Sequence, residues 1–500
     1  MRRPLAMLIG LAIALPGAAA AQEEHHHHPA PEHLGQVRFA TTCAPAVAAA
    51  FDRAVALLHS FAYEDADKAF ADVAARDPAC AMAHWGRAMT HYHQLWDTPA
   101  GAGLAAGQAE IRLAQAGAAS GPVSSRERAL IDALASYYAD ADSVPPAARA
   151  LRYSGAMAAA ARAWPADDEI AAFYALSLIA TASPGDRTHA RQAMAADILE
   201  PIWRRHPDHP GAPHYLIHAY DSAALAQRGL PAARAYAKIA PSAPHALHMP
   251  SHIFTRLGLW DDSIASNIAA RDAARAQGDV GEALHAMDYL TYAYLQRGRV
   301  EEARRQVAEL ATLPGLSGGG FKIGYAGNAM PVRLAVETGD WAGAARLTPM
   351  AGSSPQVAAL VWWARALGQV RGATPAPQAA DADIAQLQAC RDALVAQHDA
   401  YWAAQTDVLL KSAQAWRAAA LGQGEAAVAD LTAAADEEDA LEKLPLTPGP
   451  IVPAREQLGE LLARLGRPRE AVAAFDAALA LAPGRLGAER GRAAALQAAR

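Results

Sequence analysis

Residues 456–483 read EQLGELLARLGRPREAVAAFDAALALAP, with apolar or small residues recurring every three to four positions at Leu458, Leu462, Ala471, Phe475 and Ala478. That spacing lines one face of a helix, and the run is broken by Gly466 in its middle and Pro483 at its end. The pattern predicts helix, turn, helix. Gly459 and Ala471 let the two antiparallel helices approach closely, Gly466 serves the turn, Phe475 plugs the seam and Pro483 closes the second helix. Similar phrasing recurs upstream. Phe61 to Ala66 with Phe70 and Asp77-Pro78 reads as a second helix, while Gly258-Leu-Trp260 with Ile264, Gly298-Arg-Val300 with Ala303, and Gly339-Asp-Trp341 with Ala344 open three more units.

These offsets are those of the tetratricopeptide (TPR) unit. The expected fold is therefore all-α, a TPR-type solenoid in which antiparallel helix pairs wind into a right-handed superhelix. Gly258 and Gly298 lie 40 residues apart, longer than the ideal period of about 34, and residues 313–328 are glycine-rich, so irregular insertions are expected. The proline-punctuated segment 373–382 is the expected hinge between an N-terminal array, 43–372, and a shorter C-terminal one, 383–500.

The chain begins differently. Residues 1–21 carry Arg2 and Arg3, an apolar stretch and a run of alanines, the pattern of a secretory signal peptide cut after Ala21. Its apolar core is too short for a membrane span. The expected location is periplasmic or secreted, with no membrane insertion. Residues 22–42 are polar and proline-rich, with His25 to His28 in a row, and are expected to be a disordered leader.

Composition narrows the partners. Hydrophobic residues make up 52% of the 500 but aromatic ones only 6%, as suits alanine- and leucine-rich helices. A formal net charge of −7 gives no electrostatic footprint for nucleic acid. Of the three cysteines, Cys43 and Cys80 are 37 residues apart, close to one repeat, so a disulfide stapling the first hairpin is expected in an oxidising compartment. Cys390 reads as a packed small residue.

Histidine is the chemistry on offer. Eight of the 19 fall between positions 206 and 285: His206, His209, His214, His218, His245, His248, His252 and His285. His214 and His218 share a helical face, as do His248 and His252, and the two pairs are displaced by 34 residues, the repeat period itself. Equivalent positions of successive first helices line the inner surface of a solenoid, which predicts imidazoles converging there with His245, Asp221, Asp288 and Tyr292. The leading expectation is a ligand groove formed by His214, His218, Asp221, His245, His248, His252, Asp288 and Tyr292, taking a peptide, protein or small polar ligand. The alternative is a metal-binding envelope protein with a zinc-, copper- or iron-type metal held by His214, His218, His248 and His252, which could extend to metal-dependent catalysis. Packed interior side chains are the third reading. His59 and His93, in a second and smaller set, are minor candidates. No HExxH, CxxCH or GxSxG motif accompanies the cluster, so no catalytic residue is named.

FDRAVALLHSFAYEDADKAF, DPACAMAHWGRAM, HPGAPHYLIHAYD, IAPSAPHALHMPSHIFTRLGLWDDSIASN and HAMDYLTYAYLQ, in that order, resemble a group of exported bacterial TPR-repeat proteins of unassigned biochemistry. The resemblance spans nearly all of the mature chain. It implies the fold, export and a characteristic histidine-bearing segment from 206 to 292, and no catalytic role for any residue.

Overall fold

The computed structural model describes residues 32–95, 98–313, 316–318 and 320–500. The segment 1–21 expected to be a signal peptide and the histidine tract 25–28 lie outside them. Residues 33–500 form one compact unit; of the other, 1–32, only Glu32 is described. Among the described residues the secondary structure is helical and no β-strand forms. No helix among them is long and apolar enough to cross a membrane.

Helices alternate along the chain in antiparallel pairs, beginning with Ala48–His59 and Tyr63–Arg76 and running to Ala454–Arg464 and Pro468–Leu481. This is a TPR-type α-solenoid, and its packing follows from the motif residues. A Cβ on Gly459 would sit 2.7 Å from the Phe475 ring, and one on Gly86 would sit 2.4 Å from Phe70, so the same glycine and phenylalanine seat the seam at both ends of the array. Gly258, Gly298 and Gly339 each turn into the next helix at φ +69, a backbone angle that disfavours side chains. Alternate helices touch their counterparts in neighbouring pairs and form an inner row. It includes Gly211–Tyr220, Pro250–Arg256, Val280–Gln296, Phe321–Glu337, Pro355–Arg371 and Ala400–Ala420.

The expected disulfide is present: Cys43 and Cys80 are bonded, with Cα atoms 4.8 Å apart. The leader departs from expectation. Disorder was expected through 42, yet from His33 onward the chain is an extended strap with Leu34, Val37 and Phe39 buried. Phe39 packs at a tilt against Phe51 and Trp85, its N–H donates to Asp52, and the Thr42 N–H donates to Glu127. Three spaced apolar side chains outweigh the polar composition around them.

Residues 372–379 connect helices Pro355–Arg371 and Ala380–Ala396, which pack on each other, and the array continues across them. The middle and late repeats also meet. Trp260 donates its indole N–H to the Gly484 carbonyl at 2.9 Å. The fully buried Arg485 guanidinium donates to Glu456, Glu337 and the Tyr292 hydroxyl.

Candidate functional site

Four helices supply the histidines. Helix Gly211–Tyr220 is buried along its whole length and carries His214 and His218. Helices Pro244–His248 and Pro250–Arg256 meet at Met249, which keeps helical angles, so the chain winds on past the proline and His248 still faces His252. Helix Val280–Gln296 adds His285.

Six rings form one continuous group, in two triads. His214, His218 and His245 bring their ring nitrogens within 4.8 Å of one another, and so do His248, His252 and His285. The triads abut: ring centroids of His218 and His252 are 5.9 Å apart, and those of His245 and His248 6.1 Å. All six side chains are sealed, with residue exposures of 0 to 7%. The open groove expected from the sequence is therefore not what these residues line. The elements that carry them pack ring on ring, and Tyr236 and Phe61 close over His214.

The outer nitrogens are held one by one. His214 donates from Nδ1 to the His59 carbonyl at 2.6 Å, and His252 donates from Nδ1 to Asp221 at 2.9 Å. His245 Nδ1 lies 3.3 Å from Glu282. His248 Nδ1 lies 2.7 Å from the Asn267 amide oxygen, and the Asn267 amide nitrogen is committed to the Ser263 carbonyl, so here too the imidazole must be the donor. The inner nitrogens face each other. His248 Nε2 and His252 Nε2 are 3.0 Å apart, and His214 Nε2 and His218 Nε2 3.2 Å.

Burial holds the imidazoles of His214, His218, His248, His252 and His285 below their ordinary pKa, and neighbouring histidines push the same way, so these rings are neutral near pH 7. Burial alone would raise the Asp221 carboxyl, but Lys443, Arg256 and His252 hold it well below the usual range. Glu282 is held down in the same way by Lys322 and His245.

Two expected members stand elsewhere. Asp288 is buried against Arg333, whose other nitrogens donate to the Gly449 and Pro450 carbonyls. Tyr292 accepts from Arg485 and borders a cavity of about 150 Å³ lined also by Arg256, Lys443, Tyr325 and Tyr401. Both stand on helix Val280–Gln296 three and seven residues beyond His285, where Arg333 and Arg485 capture them. A different pair of residues from that helix completes the cluster: Tyr289, T-shaped against His248 and donating to the Thr447 carbonyl, and Glu282. Glu282 and Tyr289 lie three and four residues from His285, so its helical face includes them, but the same spacing admits Asp288 and does not single them out. Asn267 and Lys443 come from other repeats and leave no local trace.

His59 belongs to a separate group. Its Nε2 lies 2.8 Å from Glu169, its Nδ1 2.9 Å from the Tyr215 hydroxyl, and His209 bonds the other oxygen of Glu169 while its Nδ1 accepts the Ala212 N–H. Every ring nitrogen there has a complementary partner, as in a structural network. His93 lies apart from both groups, stacked on Tyr63 just beyond the end of helix Ala81–Thr90.

No protein-family model matches the chain, and no curated protein matches it. Among solved structures it is similar to yeast Tom70 (8% identity, TM-score 0.34, covering 89% of this chain and 87% of that one). It is also similar to a chain of the APC/C hetero-tetramer Cut9-Hcn1 (12% identity, TM-score 0.36, covering 90% and 76%). A third likeness is to the P58(IPK) TPR domain (10% identity, TM-score 0.23, covering 91% and 98%).

Proposed function

We propose that this chain is an exported metal-binding protein of the TPR fold, holding a transition-metal ion between buried imidazoles. One observation carries the reading. His248 and His252 both spend their Nδ1 proton on fixed acceptors, which leaves two Nε2 lone pairs facing each other at 3.0 Å. That arrangement is repulsive unless a cation lies between them, and burial, which lowers both pKa values, opposes a proton. Metal-binding histidines ordinarily donate their other ring nitrogen to a carboxylate, amide or carbonyl in this way. Tetrahedral coordination at about 2.0 to 2.1 Å sets ligand nitrogens roughly 3.3 Å apart, close to the spacing here.

Imidazole donors without a carboxylate among them suit zinc, copper, nickel or iron and disfavour magnesium or calcium. Export is supported by the pattern of residues 1–21 and fits a disulfide-permissive compartment. A peptide partner, the other expectation, meets an obstacle: Leu446 and Ile451 of the connection 441–453 are buried, and that connection bonds Tyr289, Arg333 and Tyr401 of the inner row. A peptide would have to displace it to reach the rings.

The test uses the mature chain with His25→Ser, His26→Ser, His27→Ser and His28→Ser, so that the leader contributes no metal. Elemental analysis of this protein should find stoichiometric transition metal, and His248→Gln with His252→Gln should lower it. Unchanged metal content in the double variant would remove the assignment.

A further inference from the structure

Resting on the metal reading, we infer that the two histidine triads are halves of one dinuclear centre and that it takes a pair of copper ions as Cu(I). Each triad supplies three ring nitrogens that converge within 4.8 Å. The triads are built alike: each pairs an HxxxH helix turn, His214 with His218 or His248 with His252, with a third ring from another helix, His245 or His285. Rings of the two sets touch across the boundary at 5.9 and 6.1 Å, so no layer of protein separates the two positions. Each triad also has one carboxylate behind it, Glu282 behind His245 and Asp221 behind His252.

The charge of this shell selects the ion. Asp221 is matched by Arg256 and Lys443, Glu442 by Arg256 and Arg187, and Glu282 by Lys322, so the three carboxylates are already paired with four cations and offer no negative charge to an added ion. Neutral imidazoles add no charge. Two divalent ions would thus bury four uncompensated charges in a site sealed from water, whereas two monovalent ions bury half as many, and the cost of burying charge is steep. Zinc in a three-histidine site ordinarily relieves its charge with a water or hydroxide in the fourth position. Copper combines strong affinity for imidazole with a stable single charge and a closed shell that accepts three ligands.

The experiment titrates the mature chain carrying the four leader substitutions with Cu(I) under anaerobic conditions against a colorimetric chelator. Two equivalents per chain are expected, and His245→Ala and His285→Ala should each retain one. The loaded parent is then oxidised with ferricyanide and its electron paramagnetic resonance recorded. Two adjacent Cu(II) ions should give a coupled or silent spectrum in the parent and an isolated axial signal in either single variant. One equivalent in the parent, or two with uncoupled axial signals, overturns the dinuclear inference while leaving the metal reading intact. Preference for zinc when both ions are buffered at equal free concentration overturns the choice of copper. Failure to retain any metal sinks both readings, and because the stoichiometry and the spectrum are read on the parent, a variant that does not fold does not shield the inference.

Discussion

Asn267 fixes the tautomer of His248, since its amide nitrogen is tied to the Ser263 backbone and only its oxygen can face the ring. Asn267→Ala would release Nδ1, let His248 turn its proton to Nε2 and donate to His252, and so relieve the lone-pair conflict without metal. Partners of this kind are worth about 10- to 100-fold in metal affinity. A competition titration on Asn267→Ala should show a loss of that order, and an unchanged affinity would contradict the tautomer argument. At this scale the sequence was partly legible. The HxxxH pairs and their displacement by one repeat, readable from residue numbers alone, bring His218 beside His252. Asp288 and Tyr292 were misplaced because they share the helical face of His285 along Val280–Gln296, and spacing does not say which residues of that face meet the other rings. There Arg333 and Arg485, distant in sequence, capture them.

Among the elements, the helix pairs were legible because each rests on a local rule, a turn glycine and a seam phenylalanine. The strap 33–42 was not, because isolated apolar residues in a polar segment gain meaning only from the partners they find, here Phe51 and Trp85. The helix Gly424–Ala440 carries its own liability near its end. Burial raises the Glu438 carboxyl to about 7, against the Ala454 N–H that it accepts at 2.7 Å. Since the folded pKa lies above the unfolded one, the folded state binds more protons between the two values, and stability falls as pH rises through that interval. Glu438→Gln keeps an oxygen for Ala454 and removes the ionisation. It should raise stability by less than about 1 kcal/mol near pH 5 and by about 3 kcal/mol at pH 8. Urea unfolding of both proteins at the two pH values checks this, and a gain of equal size at pH 5 would contradict it.

Across the whole unit of residues 33–500, the middle and late repeats are tied by Arg485, which holds Glu456, Glu337 and Tyr292 together. No periodicity foretells this junction, since a repeat pattern specifies only nearest neighbours. Arg485→Ala would leave two carboxylates buried without their cation, a change that costs about 3 to 5 kcal/mol. Thermal unfolding should show a markedly lower midpoint, and a midpoint within a degree of the parent would argue against the junction. The histidine cluster sits within the same unit, covered by the connection 441–453 that runs between helices Gly424–Ala440 and Ala454–Arg464. The most direct measurement of the central claim is therefore anomalous diffraction at the metal edge from crystals of the metal-loaded, leader-substituted protein. The account predicts an anomalous peak between His248 Nε2 and His252 Nε2. Well-ordered rings there with no peak between them, or a peak confined to other residues, would contradict it.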